Sequence, residues 1–78
     1  MSRKIVFAEG CMKRSGLDEK IIKQRVMDII NRSVEYINRI DEGGIGGIVD
    51  EKHGIFIKFY VAEKAVLIDR VIGEVCLV

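Results

Sequence analysis

The sequence predicts an α+β fold, in which an antiparallel sheet is covered by one long amphipathic helix. A short apolar segment comes first, a long stretch with helical periodicity follows, and two alternating segments meet at a turn. Apolar residues make up 49% of the 78 residues, which is enough to build a core. We expect a single domain over residues 1–78, in the order β-α-β-β with a C-terminal strand or short helix.

The first strand and the helix are predicted from the segment KIVFAEG and the periodic stretch that follows it. The helix is expected to run from Leu17 to about Ile40, with Ser15 as its N-cap. Its apolar residues recur on one face, and Ser33 interrupts them. The residues of this stripe are Ile22, Val26, Ile29, Ile30, Ile37 and Ile40.

Four glycines between residues 43 and 47 raise the question of a phosphate-binding loop. Such a loop follows a strand and opens a helix, whereas this run closes a helix and opens a strand. We therefore interpret the glycines as structural. Gly43 or Gly44 is expected to take a left-handed conformation after the helix, and Gly46 and Gly47 to let the chain bend or approach a neighbour.

A hairpin is predicted from IGGIVD and GIFIKFYVA, joined by DEKHG, where Gly54 is free to take positive φ. Alternation places two sets of residues on opposite faces. The first set is Ile55, Ile57, Phe59 and Val61, and the second is Phe56, Lys58, Tyr60 and Ala62. The tail after residue 62 combines helical spacing with many β-branched residues, so a helix and a strand both stay open, with the strand favoured.

The richness in Ile and Val predicts more apolar surface than a monomer of this length can bury. Two aromatic side chains on the outer face of the hairpin also indicate a second buried layer or an interface. We therefore expect a homo-oligomer. The residues expected at its interface are Ile5, Phe7, Phe56 and Tyr60.

Charge is distributed unevenly along the chain. Residues 1–40 hold nine Lys and Arg against five Asp and Glu, and the net charge of the whole chain is +1. Arg3, Lys4, Lys13 and Arg14 are the residues expected to bind a partner. The alternative function is a small basic nucleic-acid-binding protein, although Phe7 is the only aromatic residue near this basic segment.

No catalytic, cofactor-binding or metal site is predicted, and we expect a protein that is not an enzyme. His53 is the only histidine, and a solvated turn is favoured over a metal site at Asp50, Glu51 and His53. Cys11 beside basic residues could be an activated thiol, but an incidental small residue is favoured. Two cysteines, no signal peptide and no transmembrane segment indicate a cytoplasmic protein.

The segment IVFAEGCMKRSG resembles the conserved part of the bacterial cell-division topological specificity factors, the MinE family. Ile5, Val6 and Ala8 match its first strand, and the run from Lys13 to Gly16 matches its basic segment. The likeness covers residues 3–62, with Cys11 where the family has an arginine. It implies a dimeric regulator of cell division that exchanges strand and helix, with Lys13 and Arg14 binding a membrane-associated ATPase. The later segments GIFIKFYV and LIDRVIGEV are also similar to alkaline-shock proteins.

Overall fold

The computed structural model describes residues 3–12, 18–52 and 54–73. These residues form two helices and four strands, which confirms the α+β class. The elements are β1 (Lys4–Phe7), α1 (Glu19–Arg32), α2 (Val34–Asn38), β2 (Ile45–Asp50), β3 (Ile55–Val61) and β4 (Ala65–Ile72).

The described strands form one mixed sheet in the order β1-β4-β3-β2. Strands β2, β3 and β4 form an antiparallel meander, which includes the predicted β2–β3 hairpin. The predicted antiparallel sheet is confirmed only in part, because β1 pairs with β4 in parallel. The chain crosses from β1 through the helices to the far edge at β2, and the meander then returns β4 to the side of β1.

The prediction of one long helix is wrong, because the helix breaks at Ser33. The Ser33 hydroxyl donates to the Ile29 carbonyl at 2.8 Å, and its N–H donates to the Ile30 carbonyl three residues back at 3.0 Å. A serine that bonds to the preceding turn competes with regular helical geometry, and its φ of −108° lies outside the helical range. The first helix begins after Asp18, whose carboxylate accepts from the Lys20 N–H, while Ser15 lies outside the described residues.

The core lies between the helices and one face of the sheet. The predicted stripe packs on alternate residues of β3 and on residues of β4, and it removes both sets from solvent. The core residues that are at most 1% exposed are Ile22, Val26, Ile30, Ile37, Ile55, Ile57, Phe59, Val61, Val66, Ile68 and Val71. The other face of the sheet carries no such layer among the described residues.

Two boundaries of the hairpin follow the sequence prediction. Gly43 has φ of +83° and its N–H donates to the Val61 carbonyl, so the left-handed residue turns the chain from α2 into β2. Gly54 has φ of +63° before β3. The tail, which the sequence left between helix and strand, is a strand from Ala65 to Ile72.

Candidate functional site

The sheet face away from the helices, which we call the open face, carries an apolar row across all described strands. Val6 lies beside Leu67, Leu67 beside Tyr60, and Tyr60 beside Ile45. Val6, Leu67 and Ile45 are 40%, 37% and 59% exposed, and Tyr60 is half-buried. This first row is a continuous strip of large apolar side chains in contact with solvent.

A second apolar row crosses the open face near the β2–β3 turn. Ile72 lies beside Phe56, and Phe56 lies beside Val49, which is 45% exposed. Gly47 makes room for the Phe56 ring, since a Cβ there would lie 3.2 Å from the nearest ring carbon. The two rows together account for most of the large apolar side chains that the described residues leave exposed.

A charged row separates the two apolar rows. The Lys58 ammonium lies 3.7 Å from the Asp69 carboxylate and 5.8 Å from the centre of the Tyr60 ring. Lys58 pairs with Arg70, while Phe59 pairs with Ile68, so Asp69 is an extra residue in a β-bulge. The bulge places two successive residues, Asp69 and Arg70, in the charged row. The apolar residues on either side of them, Ile68 and Val71, stay in the core.

The residues predicted at an oligomer interface divide between the two faces. Phe56 and Tyr60 lie on the open face, where alternation placed them. Ile5 and Phe7 lie on the helix-covered face and pack against the core. The sequence reasoning missed Leu67 on the open face, because the conformation of the tail was left open.

The residues predicted to bind a partner are partly engaged within the fold. The Arg3 guanidinium donates to the Ala62 carbonyl at 2.9 Å and to the Asn38 side chain at 2.8 Å, so it joins β1 to the β3–β4 turn and α2. Lys4 is exposed at the start of β1. Lys13 and Arg14, which carry the predicted ATPase contact, lie outside the described residues.

A groove of about 330 Å³ lies between α1 and β2. Its lining includes the cations Arg25, Arg32 and Lys52 and the carboxylates Asp28 and Asp50. The charges of the groove are therefore mixed, whereas a nucleic-acid channel presents a run of cations with aromatic side chains.

The edge of the sheet at β2 is covered by Tyr36 of α2. The Tyr36 hydroxyl donates to the Gly47 carbonyl and accepts from the Gly47 N–H, both at 3.3 Å. An unpaired edge would otherwise offer these backbone groups to another strand. This contact disfavours pairing of another strand at the middle of β2.

Cys11 is buried, with 6% of its surface exposed. Burial raises the pKa of its thiol, and the backbone hydrogen bond and the charge of Lys23 oppose this only in part. This environment favours the incidental small residue over the activated thiol.

We expect iodoacetamide at pH 7.5 to alkylate Cys11 at least about tenfold more slowly in the folded protein than in urea, because the thiolate is scarcer and enclosed. Labelling a Cys76→Ser chain and counting adducts by mass spectrometry measures this. Equal rates would contradict the buried position. Because folding raises the pKa of Cys11, its contribution to stability should be lost as the pH rises above the usual thiol value of 9.0.

No cluster of three or more metal-ligating side chains occurs in residues 3–12, 18–52 and 54–73. Within the same ranges, no helix has the length and apolar character needed to cross a membrane. Comparison of the chain with protein-family models, curated proteins and solved structures found no match. The resemblance to the cell-division factors therefore stays a prediction.

Proposed function

We propose that this protein is a small self-associating interaction module, whose open face binds the open face of a second copy. The observation that carries the proposal is the continuous first row of Val6, Leu67, Tyr60 and Ile45, opposite a fully formed core. Contiguous apolar patches of more than a few hundred Å² are rare on monomeric proteins and mark interaction sites. Regulation of a partner is the function that such a module would serve.

The size of the open face suits a reversible dimer. Strands lie about 4.8 Å apart and rise about 3.3 Å per residue, so four strands that average about six residues span roughly 400 Å² per copy. Two copies would bury about 800 Å² counted flat, and more once the pleat and side chains are included. Interfaces at the lower end of the specific range are weak, so we expect a dissociation constant in the micromolar range.

Contacts made by Tyr36, Lys23 and Arg3 favour binding through the open face over other modes of binding. Tyr36 covers the middle of the β2 edge, which disfavours pairing of strands edge to edge. Lys23 places its ammonium 5.6 Å above Phe7, and Arg3 is bonded within the fold, so the first segment has fewer free groups for nucleic acid. Protein–protein contact is therefore the function that the surface supports best.

Leu67→Glu tests the proposal, because it places a charge in the centre of the first row. We expect the wild-type protein to show concentration-dependent dimerisation by sedimentation velocity, and the variant to self-associate at least about tenfold more weakly. Ile21→Glu is the matched control. Ile21 is a 53% exposed apolar residue on α1, and its replacement should leave the dimer unchanged.

Two results would contradict the proposal. The first is a wild-type protein that stays monomeric up to several hundred micromolar. The second is an equal loss of self-association in the Leu67→Glu and Ile21→Glu proteins, which would show that surface charge alone decides the assembly. Circular dichroism of each protein checks that it is folded.

A further inference from the structure

The charge pattern of the open face indicates how two copies would be arranged, an inference that rests on the proposed self-association. The apolar rows run across the strands, and the charged row of Lys58 and Asp69 lies between them. Two twisted sheets that pack face to face keep their strands roughly aligned, about 10 Å apart. Two symmetric arrangements meet this condition, and they differ in the direction of the twofold axis.

With the axis parallel to the strands, each row faces the same row of the second copy. The order of the strands along the facing row is reversed. The middle of the sheet lies between β4 and β3, so an axis centred there gives the greatest overlap and places β3 opposite β4 of the second copy. Lys58 then faces the bulge of the second copy, where Asp69 and Arg70 lie in succession, and Asp69 is the group of that bulge that attracts it. Leu67 likewise faces Tyr60, and Phe56 faces Ile72.

With the axis perpendicular to the strands, each strand faces the same strand of the second copy. The first row of one copy then faces the second row of the other. The charged row again meets its copy, but Lys58 then faces Lys58, and the bulge of Asp69 and Arg70 faces the same bulge of the second copy. Like charges opposed in an interface disfavour association, and opposite charges fix the register. The two arrangements bury similar apolar surface, so the charged row decides between them.

We propose that the second copy binds through a twofold axis that runs parallel to the strands between β3 and β4. Each Lys58 then lies in a network of charges between its own Asp69 and the second copy's bulge of Asp69 and Arg70, and the other Lys58 does not oppose it. Arg70, which is exposed in the same row, adds one positive charge to each copy. Charges at the centre of an interface lose hydration, so this network sets the register at some loss of affinity.

Two charge-reversed chains test whether the charged row lies in the interface, and the neutral substitution described below distinguishes the two axes. Lys58→Glu places carboxylates opposite Asp69 of the second copy, and Asp69→Lys places ammonium groups opposite Lys58. Each variant alone is expected to self-associate at least about tenfold more weakly than the wild type. An equimolar mixture is expected to form a heterodimer at least as readily as the wild type forms a homodimer, because both interchain pairs are then opposite in sign. Native mass spectrometry separates the three species by mass.

Lys20→Glu and Glu35→Lys form the control pair, since both residues are exposed on the helices and change the net charge by the same amounts. Their mixture should show no preference for the heterodimer. A heterodimer preference in this pair would show that net charge alone drives mixing, and it would overturn the inference.

Neutral substitutions give a second test that does not depend on folding of the charge-reversed chains. Lys58→Gln is expected to weaken self-association several-fold, because it removes an attraction between copies. If Lys58 faced Lys58, the same change would strengthen self-association. A dimer that Lys58→Gln strengthens, or one whose charge-reversed chains fail to form a heterodimer although folded, overturns the arrangement while the proposed function stands. A wild-type protein that is monomeric throughout overturns both.

Discussion

Replacing Phe59 with alanine is expected to lower the free energy of unfolding by about 3–5 kcal/mol. The Phe59 ring is 0% exposed, and it meets the Tyr36 ring edge to face with 6.3 Å between their centres. It also lies against Gly46 of β2 and beside Ile68 of β4, so it joins both neighbouring strands to the helices. Truncation removes buried apolar surface and leaves a cavity that the surrounding strands cannot close.

The measurement is urea denaturation followed by circular dichroism, with all proteins at one low concentration so that association contributes equally. Phe56→Ala is the matched control, since Phe56 is also a phenylalanine of β3 but lies half-buried on the open face. Its loss should be less than half of that for Phe59→Ala. Domains of this size unfold with roughly 4–12 kcal/mol, so Phe59→Ala is expected to leave a marginally stable fold. Equal losses for the two variants would contradict the assignment of faces.

The hairpin could be predicted because β2 and β3 follow a simple rule. The residues between them are typical of a turn, and they mark where β3 begins. Strand β3 alternates strictly between buried and half-buried residues, so its two faces can be inferred from a period of two. The same alternation correctly placed Phe56 and Tyr60 away from the core. Local pattern was sufficient here because local geometry decides which side each residue faces.

The break in the helix and the parallel strand depend on interactions that a periodic pattern does not contain. Apolar residues continue at helical spacing through Ser33, so the sequence shows an interruption of the stripe but no end to the helix. The pairing of β1 with β4 joins residues about sixty positions apart, and no local signal in β1 specifies its neighbour. Such non-local choices are settled by the packing of the whole sheet.

The bulge explains why the tail stayed ambiguous. The extra residue at Asp69 separates the buried residues Ile68 and Val71 by three positions, which is a helical spacing within a strand. For the same reason Leu67 could not be assigned to a face, and Tyr60 is the one residue of the first row that the sequence prediction named at an interface. Knowing that the tail is a strand would also have placed Asp69 near Lys58, which is the pair that specifies the arrangement of two copies.

Gly46→Ala is expected to lower the free energy of unfolding by about 1–3 kcal/mol, although alanine is ordinarily the better strand residue. A Cβ at Gly46 would overlap the Phe59 ring and would lie 2.8 Å from the Ile40 side chain. Both groups are packed at the end of the core, so the ring cannot move aside without opening a gap elsewhere. Glycine is required at position 46 because of the side chains packed against it. The backbone conformation there is one that other residues can adopt.

Gly47→Ala separates this steric cause from any general effect of side chains on the edge strand. A Cβ at Gly47 would lie 3.2 Å from the Phe56 ring, which is half-buried on the open face and has solvent to move into. We expect Gly47→Ala to change the free energy of unfolding by less than about 0.5 kcal/mol, because the Phe56 ring can move toward solvent to make room for the Cβ. The measurement is the difference between the two urea midpoints at equal slope. If Gly47→Ala destabilised the protein as much as Gly46→Ala does, both faces of β2 would have to be equally closed, and an open face available to a second copy would be contradicted.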